Sequence, residues 1–327
     1  MERYQFGNTG IKATKIGLGL AALGRPGYIN LGHKDDLKED YDVQHMKKHT
    51  HQMLDLAYTL GIRYFDAARS YGRAEYFLSD WLTGKKDVAV GSKWGYTYTA
   101  DWNVKAAKHE IKEHSLEVLN RQWPESTGLL GDHLGIYHIH SASLQSGVLD
   151  NQSVLDRLWE LKEEGMIIGL SLSGEHQSDT LEQAMRISTG GQHLFQSVQV
   201  TWNVLERSTT TVLQKARQAG IGIIVKEALA NGRLTARNND PTFTPQLQLF
   251  QKLAQKHTVG MDAIAIAFVL YQPWVNIVLS GAAAEDQLRS NVKALQVALD
   301  REDIDALDQL VESPGDYWRT RSRLEWN

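Results

Sequence analysis

The segment Gly61 to Gly72, GIRYFDAARSYG, sets Asp66 at the end of a short apolar run, Ile62 to Phe65, and Tyr71 five residues later. A carboxylate and a phenol just beyond a buried strand could form a proton relay. Equally, Asp caps helices, and Tyr packs with its hydroxyl on the backbone. Two further segments end alike: VAVGSKWG carries Lys93, and GIYHIHSAS carries His140, each closing an alternating apolar run. Three strands thus finish on ionisable groups, and in a barrel of parallel strands such ends converge on one face. An ammonium beside a phenol favours the phenolate and lowers a pKa that is otherwise about 10. On this reading Lys93 supplies the ammonium, Asp66 secures it, and His140 directs a hydrogen bond at the reacting oxygen, an arrangement suited to protonating a carbonyl.

The elements that must position these groups follow a repeated grammar. Val43 to Leu60 places Met46, Met53, Leu54, Ala57 and Leu60 on one helical face, and Gly61 stops it. Gly165 closes a helix from Ser153, and Gly220 closes one from Thr210, each leading into an apolar strand. Strands are predicted at Ile16–Leu20, Tyr64–Asp66, Val88–Lys93, Leu134–His140, Ile167–Leu172, Ser197–Val200, Ile221–Lys226 and Asn276–Leu279. Further helices are predicted near Arg73–Leu82, Asn103–Leu119, Ser178–Ser188 and Ala284–Leu295. Tyr4 to Ile16 reads as a hairpin turning at Gly7 to Gly10. Gly17 to Ala22, GLGLAA, matches the dinucleotide fingerprint G-x-G-x-x-A, but Gly24, Pro26 and Gly27 forbid the helix that fingerprint must open, so it reads as a glycine-rich first strand. The loop from Gly24 to Asp42 is expected to lie over one mouth of the barrel, and Asn231 to Pro245 reads as a candidate lid. No linker or composition break divides the chain, which is read as one domain over residues 1–327.

Composition bounds the function. The 327 residues are 23% charged and 42% apolar with a formal charge of −4, which gives no basic field for a nucleic-acid backbone. There is no cysteine, which removes disulfides, thiolate nucleophiles and thiolate metal sites. MERYQFGNTG lacks a secretory pattern, and the longest apolar stretch, Ala263 to Tyr271, is nine residues, so a cytoplasmic location away from the membrane is expected.

With these motifs in view, the chain resembles the aldo-keto reductase superfamily. Asp66 and Tyr71 in YFDAARSYG, Lys93 in VGSKWG and His140 in IYHIHS match its tetrad in order. FGNTGIKATKIGLGLAALG and VLSGAAAEDQLRSN are similar to its opening and closing segments. The resemblance implies a (β/α)8 TIM barrel whose N-terminal β-hairpin closes the barrel floor. It also implies NADP(H), with NAD(H) an alternative, and hydride transfer between the nicotinamide and the carbonyl of an aldehyde, ketone or sugar, with Tyr71 as general acid/base. By resemblance, Ser171 and Gln199 hold the nicotinamide carboxamide, although Leu172 replaces an asparagine common there. Trp202 supplies the stacking surface, or else packs in the core. Leu229, Ala230, Gly232 and Leu234 fall in register with the pyrophosphate loop, where Glu227 and Ala228 replace serine and proline. Gln287 and Asn291 would meet the adenosine, and Gly281 leads toward a helix N-terminus suited to an anion. Gly281 and Gln287 stand where some members place a lysine and an arginine for the 2′-phosphate, and Arg289 either compensates or faces solvent.

Two rival readings accompany this one. His138 and His140 lie two apart on a strand and could open a metal site in a barrel hydrolase, though the later histidines do not end predicted strands; no metal ligand is assigned. A non-catalytic regulatory subunit that merely holds cofactor is the other. Trp94, Tyr96, Tyr98 and Trp102 either line an aromatic substrate pocket or pack their own loop.

Overall fold

The computed structural model describes residues 1–327. Its strands are β1 Arg3–Gln5, β2 Lys12–Thr14, β3 Ile16–Gly19, β4 Tyr64–Asp66, β5 Ala89–Trp94, β6 Tyr96–Tyr98, β7 Glu110–Lys112, β8 Leu134–Ala142, β9 Ile167–Leu172, β10 Ser188–Thr189, β11 Gln192–His193, β12 Ser197–Thr201, β13 Gly222–Lys226 and β14 Ile277–Ser280. The helices are α1 His33–Asp36, α2 Val43–Thr59, α3 Ala74–Leu82, α4 Leu116–Leu130, α5 Gln152–Glu163, α6 Gln177–Arg186, α7 Thr210–Gln218, α8 Thr244–His257, α9 Met261–Leu270, α10 Glu285–Val292, α11 Arg301–Asp308 and α12 Pro314–Ser322. Strands β3, β4, β5, β8, β9, β12, β13 and β14 pair in parallel in that order and close on themselves, with β14 beside β3. This is the (β/α)8 barrel that the strand ends call for.

Strand alternation decides what the barrel holds. Tyr64, Ile136, Ile167, Ile224, Ile277 and Leu279 form a small apolar core with Phe6 and Ala13. Two residues further along β4, β8, β9 and β13, the same inward parity presents Asp66, His138, Gly169 and Lys226. The barrel interior therefore changes from hydrocarbon at its floor to ionisable groups at its mouth. The opposite parity feeds a core cluster of 75 buried residues between strands and helices. Helix α9 belongs wholly to this layer, since every residue from Ala263 to Val269 is buried. No single helix is long and apolar enough to cross a membrane.

Two differences from the sequence reading concern local pairing. The helix expected from Asn103 starts at Leu116, where Ser115 Oγ accepts the Val118 N–H at 3.3 Å as its cap. The preceding residues instead form an antiparallel ribbon, Tyr96 opposite Lys112 and Tyr98 opposite Glu110, with Asp101 and Trp102 in left-handed conformations at its turn. Long-range pairing overrides the helical spacing there. The second small ribbon, β10 with β11, carried no sequence signal beyond Gly190-Gly191.

The N-terminal ribbon of β1 and β2 does sit at the barrel floor. Phe6 is 1% exposed, and a Cβ placed on Gly222, the first residue of β13, would lie 2.5 Å from the Phe6 ring. Glycine is therefore required there by close approach. At the other end, α12 is pinned over the mouth: Arg321 grips Glu227 through two nitrogens, its Nε at 2.9 Å, and Asn203 Nδ2 donates to the Tyr317 hydroxyl at 2.9 Å. The residues after α12 turn back, and Asn327 pairs its backbone with Tyr28, at 3.1 and 3.0 Å. Burial alone would raise the Glu227 carboxyl, but Arg321 and Lys226 outweigh it and hold the group at about 2.

Two outcomes are expected. Phe6→Ala removes the floor plug and costs about 3–5 kcal/mol in urea-induced unfolding. Because the Glu227 carboxyl is depressed, its contribution is complete above about pH 4.5 and lost as pH falls toward 2. Stability measured across that window falls by roughly 3 kcal/mol more in the native chain than in Glu227→Gln.

Candidate active site

Asp66 is the hub at the barrel mouth. Its Oδ1 accepts from Lys93 Nζ, and its Oδ2 accepts from Gln199 Nε2 at 2.8 Å and from the Tyr64 hydroxyl at 3.5 Å. Lys93 Nζ also donates to the Ala67 carbonyl at 2.8 Å. The pair has lost almost all contact with water, Lys93 at 0% and Asp66 at 2% exposure. A buried ion pair survives only when its remaining hydrogen-bonding capacity is also met, and here three protein groups besides Lys93 meet it. A second buried network fixes the strand beside Lys93: Ser92 Oγ and Ser126 Oγ donate to Glu75 Oε1 at 2.5 and 2.7 Å, and Arg69 pairs with its other oxygen.

Tyr71 stands over this pair, with Lys93 Nζ 4.9 Å from its ring centroid. The turn that carries it rests on Gly24, where a Cβ would come within 2.3 Å of the Tyr71 carbonyl oxygen. On its other sides lie the His140 ring, edge-on at 5.5 Å, and the Arg25 guanidinium at 5.2 Å. Burial first, and then the Asp66 carboxylate, push the Tyr71 phenol well above its ordinary value, while Arg25 pulls it down. This differs from the expectation that Lys93 would depress it. The ammonium is matched by its own carboxylate, so at neutral pH the phenol keeps its proton.

His140 sits where the pairing of β8 with β9 shifts register, between Ile139 and Ala142. Ser141 takes a left-handed conformation with its N–H on Ser171 Oγ at 2.8 Å, and the His140 carbonyl accepts from His114 Nε2 at 2.8 Å. Such an irregularity re-aims a side chain at a strand end. Ser70 Oγ lies 3.3 Å from His140 Nδ1. Burial, then Lys93 and Arg25, hold this imidazole well below its usual value and hence neutral. His138, deeper in the barrel, bonds through Nε2 to Ser197 Oγ at 2.9 Å, and no three His, Asp or Glu side chains converge as a ligand set around the two histidines.

Two cavities meet at Tyr71. The larger, about 330 Å³, runs from Gly19, Asp66 and Gln199 past Glu227, Leu229 and Gly232 to Gly281, Gln287 and Asn291. The smaller, about 230 Å³, is walled by Arg25, Glu110, Ser171, Ser173, Lys226 and Arg321. Tyr71, Tyr28, Gln199, Lys226 and Glu227 face both. The larger cleft suits a dinucleotide, since glycines at 19, 232 and 281 leave its wall open. The smaller is polar, with three cationic and two anionic side chains. Burial lowers Lys226 to about 8 against the pull of Glu227, and its Nζ donates to Thr201 Oγ1 at 2.6 Å.

Not every residue singled out in the sequence reaches these cavities. Trp202 does not: one position beyond inward-facing Thr201, its parity turns it into the helix layer. There it stacks on Phe268 at 5.6 Å and donates to Thr210 Oγ1 at 3.0 Å. Ser171 lines the smaller cavity rather than the larger. Gln287 reaches the cleft, but its amide is occupied, Oε1 by the Ala283 and Ala284 N–H groups and Nε2 by Asp36. Asn291 is likewise held between Ser280 Oγ at 2.8 Å and Asp262 at 2.6 Å. Of the aromatic run, Trp94 is fully buried against His114, Trp102 packs on Phe77, and Tyr96 lies 4.7 Å from the His140 ring. Arg25, Tyr28, Lys226 and Arg321 were missed. Only Lys226 had a signal, as an ionisable group ending an inward-facing strand.

Residues 15–312 match the model of the Aldo/keto reductase family. The chain is 24% identical to the NADH-specific methylglyoxal reductase of Escherichia coli, over 96% of this chain and 99% of that one. It is 24% identical to the L-galactose dehydrogenase of Arabidopsis thaliana, over 95% of each. The holo form of an aldo-keto reductase from Bacillus halodurans superposes with a TM-score of 0.73 at 18% identity, covering 96% and 97% of the two chains. A closed parallel barrel, a tyrosine set over a buried lysine–aspartate pair, and a family match across nearly the whole sequence place this chain in the aldo/keto reductase family of oxidoreductases.

Proposed function

We propose that the chain interconverts a small hydroxylated carbonyl compound, such as a sugar or hydroxyaldehyde, and the corresponding alcohol, with Tyr71 as the proton donor and acceptor. The observation that carries this reading is the position of Tyr71 at the junction of two cavities, one long and glycine-lined, the other small and polar. A nicotinamide cofactor, NADP(H) by the family's habit or NAD(H), supplies or accepts the hydride. Gly19, Gln199, Leu229 and Gly232 would hold it, since all face the larger cleft.

The phenol of Tyr71 enters reduction protonated and gives that proton to the carbonyl oxygen as negative charge develops there. Lys93 then stabilises the phenolate, and Asp66 fixes Lys93 in place. Neutral His140 offers a ring N–H toward the same oxygen, with no charge to be dispersed. In the oxidative direction the same phenol must first be deprotonated, so that direction gains with rising pH.

The polar cavity supports the substrate class. Glu110 and Glu227 present acceptors, Arg25, Lys226 and Arg321 present donors, and Ser141, Ser171 and Ser173 present hydroxyls. A polyhydroxylated ligand can use the hydrogen-bonding valences that the wall's own ion pairs leave open, whereas an aromatic aldehyde would desolvate those valences without replacing their water. The names of the Escherichia coli and Arabidopsis relatives agree with small polar substrates. The absence of cysteine also suits a reducing compartment such as the cytoplasm.

Tyr71→Phe is expected to lower kcat by about 10² to 10⁴ while the dinucleotide dissociation constant stays within about threefold. Lys93→Met should do comparable damage to turnover. Both follow from steady-state rates paired with fluorescence titration of cofactor. A panel of sugars, hydroxyaldehydes and aromatic aldehydes tests the substrate class: a kcat/KM for the aromatic aldehydes equal to or above that for the hydroxylated compounds would refute it.

A further inference from the structure

The far end of the larger cleft has a character that the family habit does not anticipate. Four ionisable side chains face it there: Asp36, Asp262, Asp286 and Arg237. The sum is three carboxylates against one guanidinium. Arg237 is already engaged, since both its terminal nitrogens bond Asp36, one at 2.7 Å, and Nη1 also donates to the Gly32 carbonyl at 3.1 Å. Arg289, the other cation of α10, lies on the outer face beside Glu285, 3.7 Å away, with both side chains 56% exposed. No free cation therefore reaches this wall.

Some of the neutral donors are spent as well. Backbone N–H groups at a helix start are the usual seat for a phosphate, but at α10 those of Ala283 and Ala284 are taken by Gln287 Oε1, at 3.0 and 3.3 Å. Gln287 Nε2 is turned away to Asp36 Oδ1 at 2.8 Å. The first-turn N–H groups of Glu285, Asp286 and Gln287 are uncapped, but the side chains that face this end still sum to three carboxylates against one engaged guanidinium.

We infer that this end of the cleft selects NAD(H) over NADP(H), with Asp36 and Asp286 rejecting a 2′-phosphate and suiting a ribose that keeps its hydroxyls. A phosphate monoester brings nearly two negative charges and only acceptor oxygens, which no free cation on this wall can match. A ribose hydroxyl donates, and a carboxylate placed to receive it is a recurrent device of NAD selection in other folds. The selection is built on α1 and on the first turn of α10, and the Asp36–Arg237 contact also ties the loop before α2 to the segment before α8. The inference rests on the reading of this cleft as a dinucleotide site.

Calorimetric titration of the full chain with NADH and with NADPH, in the absence of substrate, tests it. NADH is expected to bind at least tenfold tighter at low ionic strength. That ratio should shrink at about 0.3 M salt, where charge repulsion is screened. Asp286→Lys, or Gln287→Arg if the first does not fold, should cut the ratio at least threefold. Equal or tighter binding of NADPH by the native chain at low salt would overturn the selection while leaving the cleft's role intact. Failure of both dinucleotides to bind would instead overturn the cofactor reading itself.

Discussion

The contact between Lys93 and Asp66 governs the mouth of the barrel, because two full charges sit there with essentially no access to water. Moving such ions out of water costs several kcal/mol each, and their mutual attraction offsets this only when every remaining valence is used. The surroundings meet that demand: the Ala67 carbonyl for Lys93, and Gln199 and Tyr64 for Asp66. Three barrel strands, β4, β5 and β12, thereby commit inward side chains to one ion pair. Tyr71 is then held against a fixed ammonium rather than a mobile one.

The same constraint explains the polarity gradient inside the barrel. Its floor is sealed by Phe6 against Gly222, which keeps water from reaching the pair from below. Its middle carries a neutral histidine, His138, pushed far below its ordinary pKa by burial and by Lys93. Its mouth carries groups whose charges are matched locally: Lys93 with Asp66, Lys226 and Arg321 with Glu227, Arg25 with Glu110. Glu227 is held in a left-handed conformation between two cations, one on its own strand end and one on α12. Backbone strain of this kind persists where surrounding contacts over-determine it, as at ligand clamps. The smaller cavity is thus shaped by ion pairs that span elements distant in sequence, and the polarity of its wall is a consequence of that clamp.

Asp66, Lys93 and His140 were legible because period-2 alternation tells which residue of a short strand faces inward, and each ends such a strand. Tyr71 was legible from its motif. The eight barrel strands were legible for the same reason, together with the glycines that end α2, α5 and α7. Trp202 shows the limit of motif spacing: a shift of one residue past β12 reverses the side of the sheet on which a side chain lies. The ribbon of β6 and β7 shows another, since its pairing partner is fourteen or so residues away and no local periodicity encodes it.

What the sequence determined by itself, then, is the barrel, its polar mouth and the identities of the four central groups, because alternation and turn chemistry act within a few residues. Tertiary structure decided the protonation state of Tyr71, through burial and Asp66. It decided the charged wall that Arg25 and Arg321 bring from opposite ends of the chain, and the tie between Gln287 of α10 and Asp36. Each of these depends on distances between residues far apart in the chain, which set solvation and charge pairing and which no local pattern of residues records.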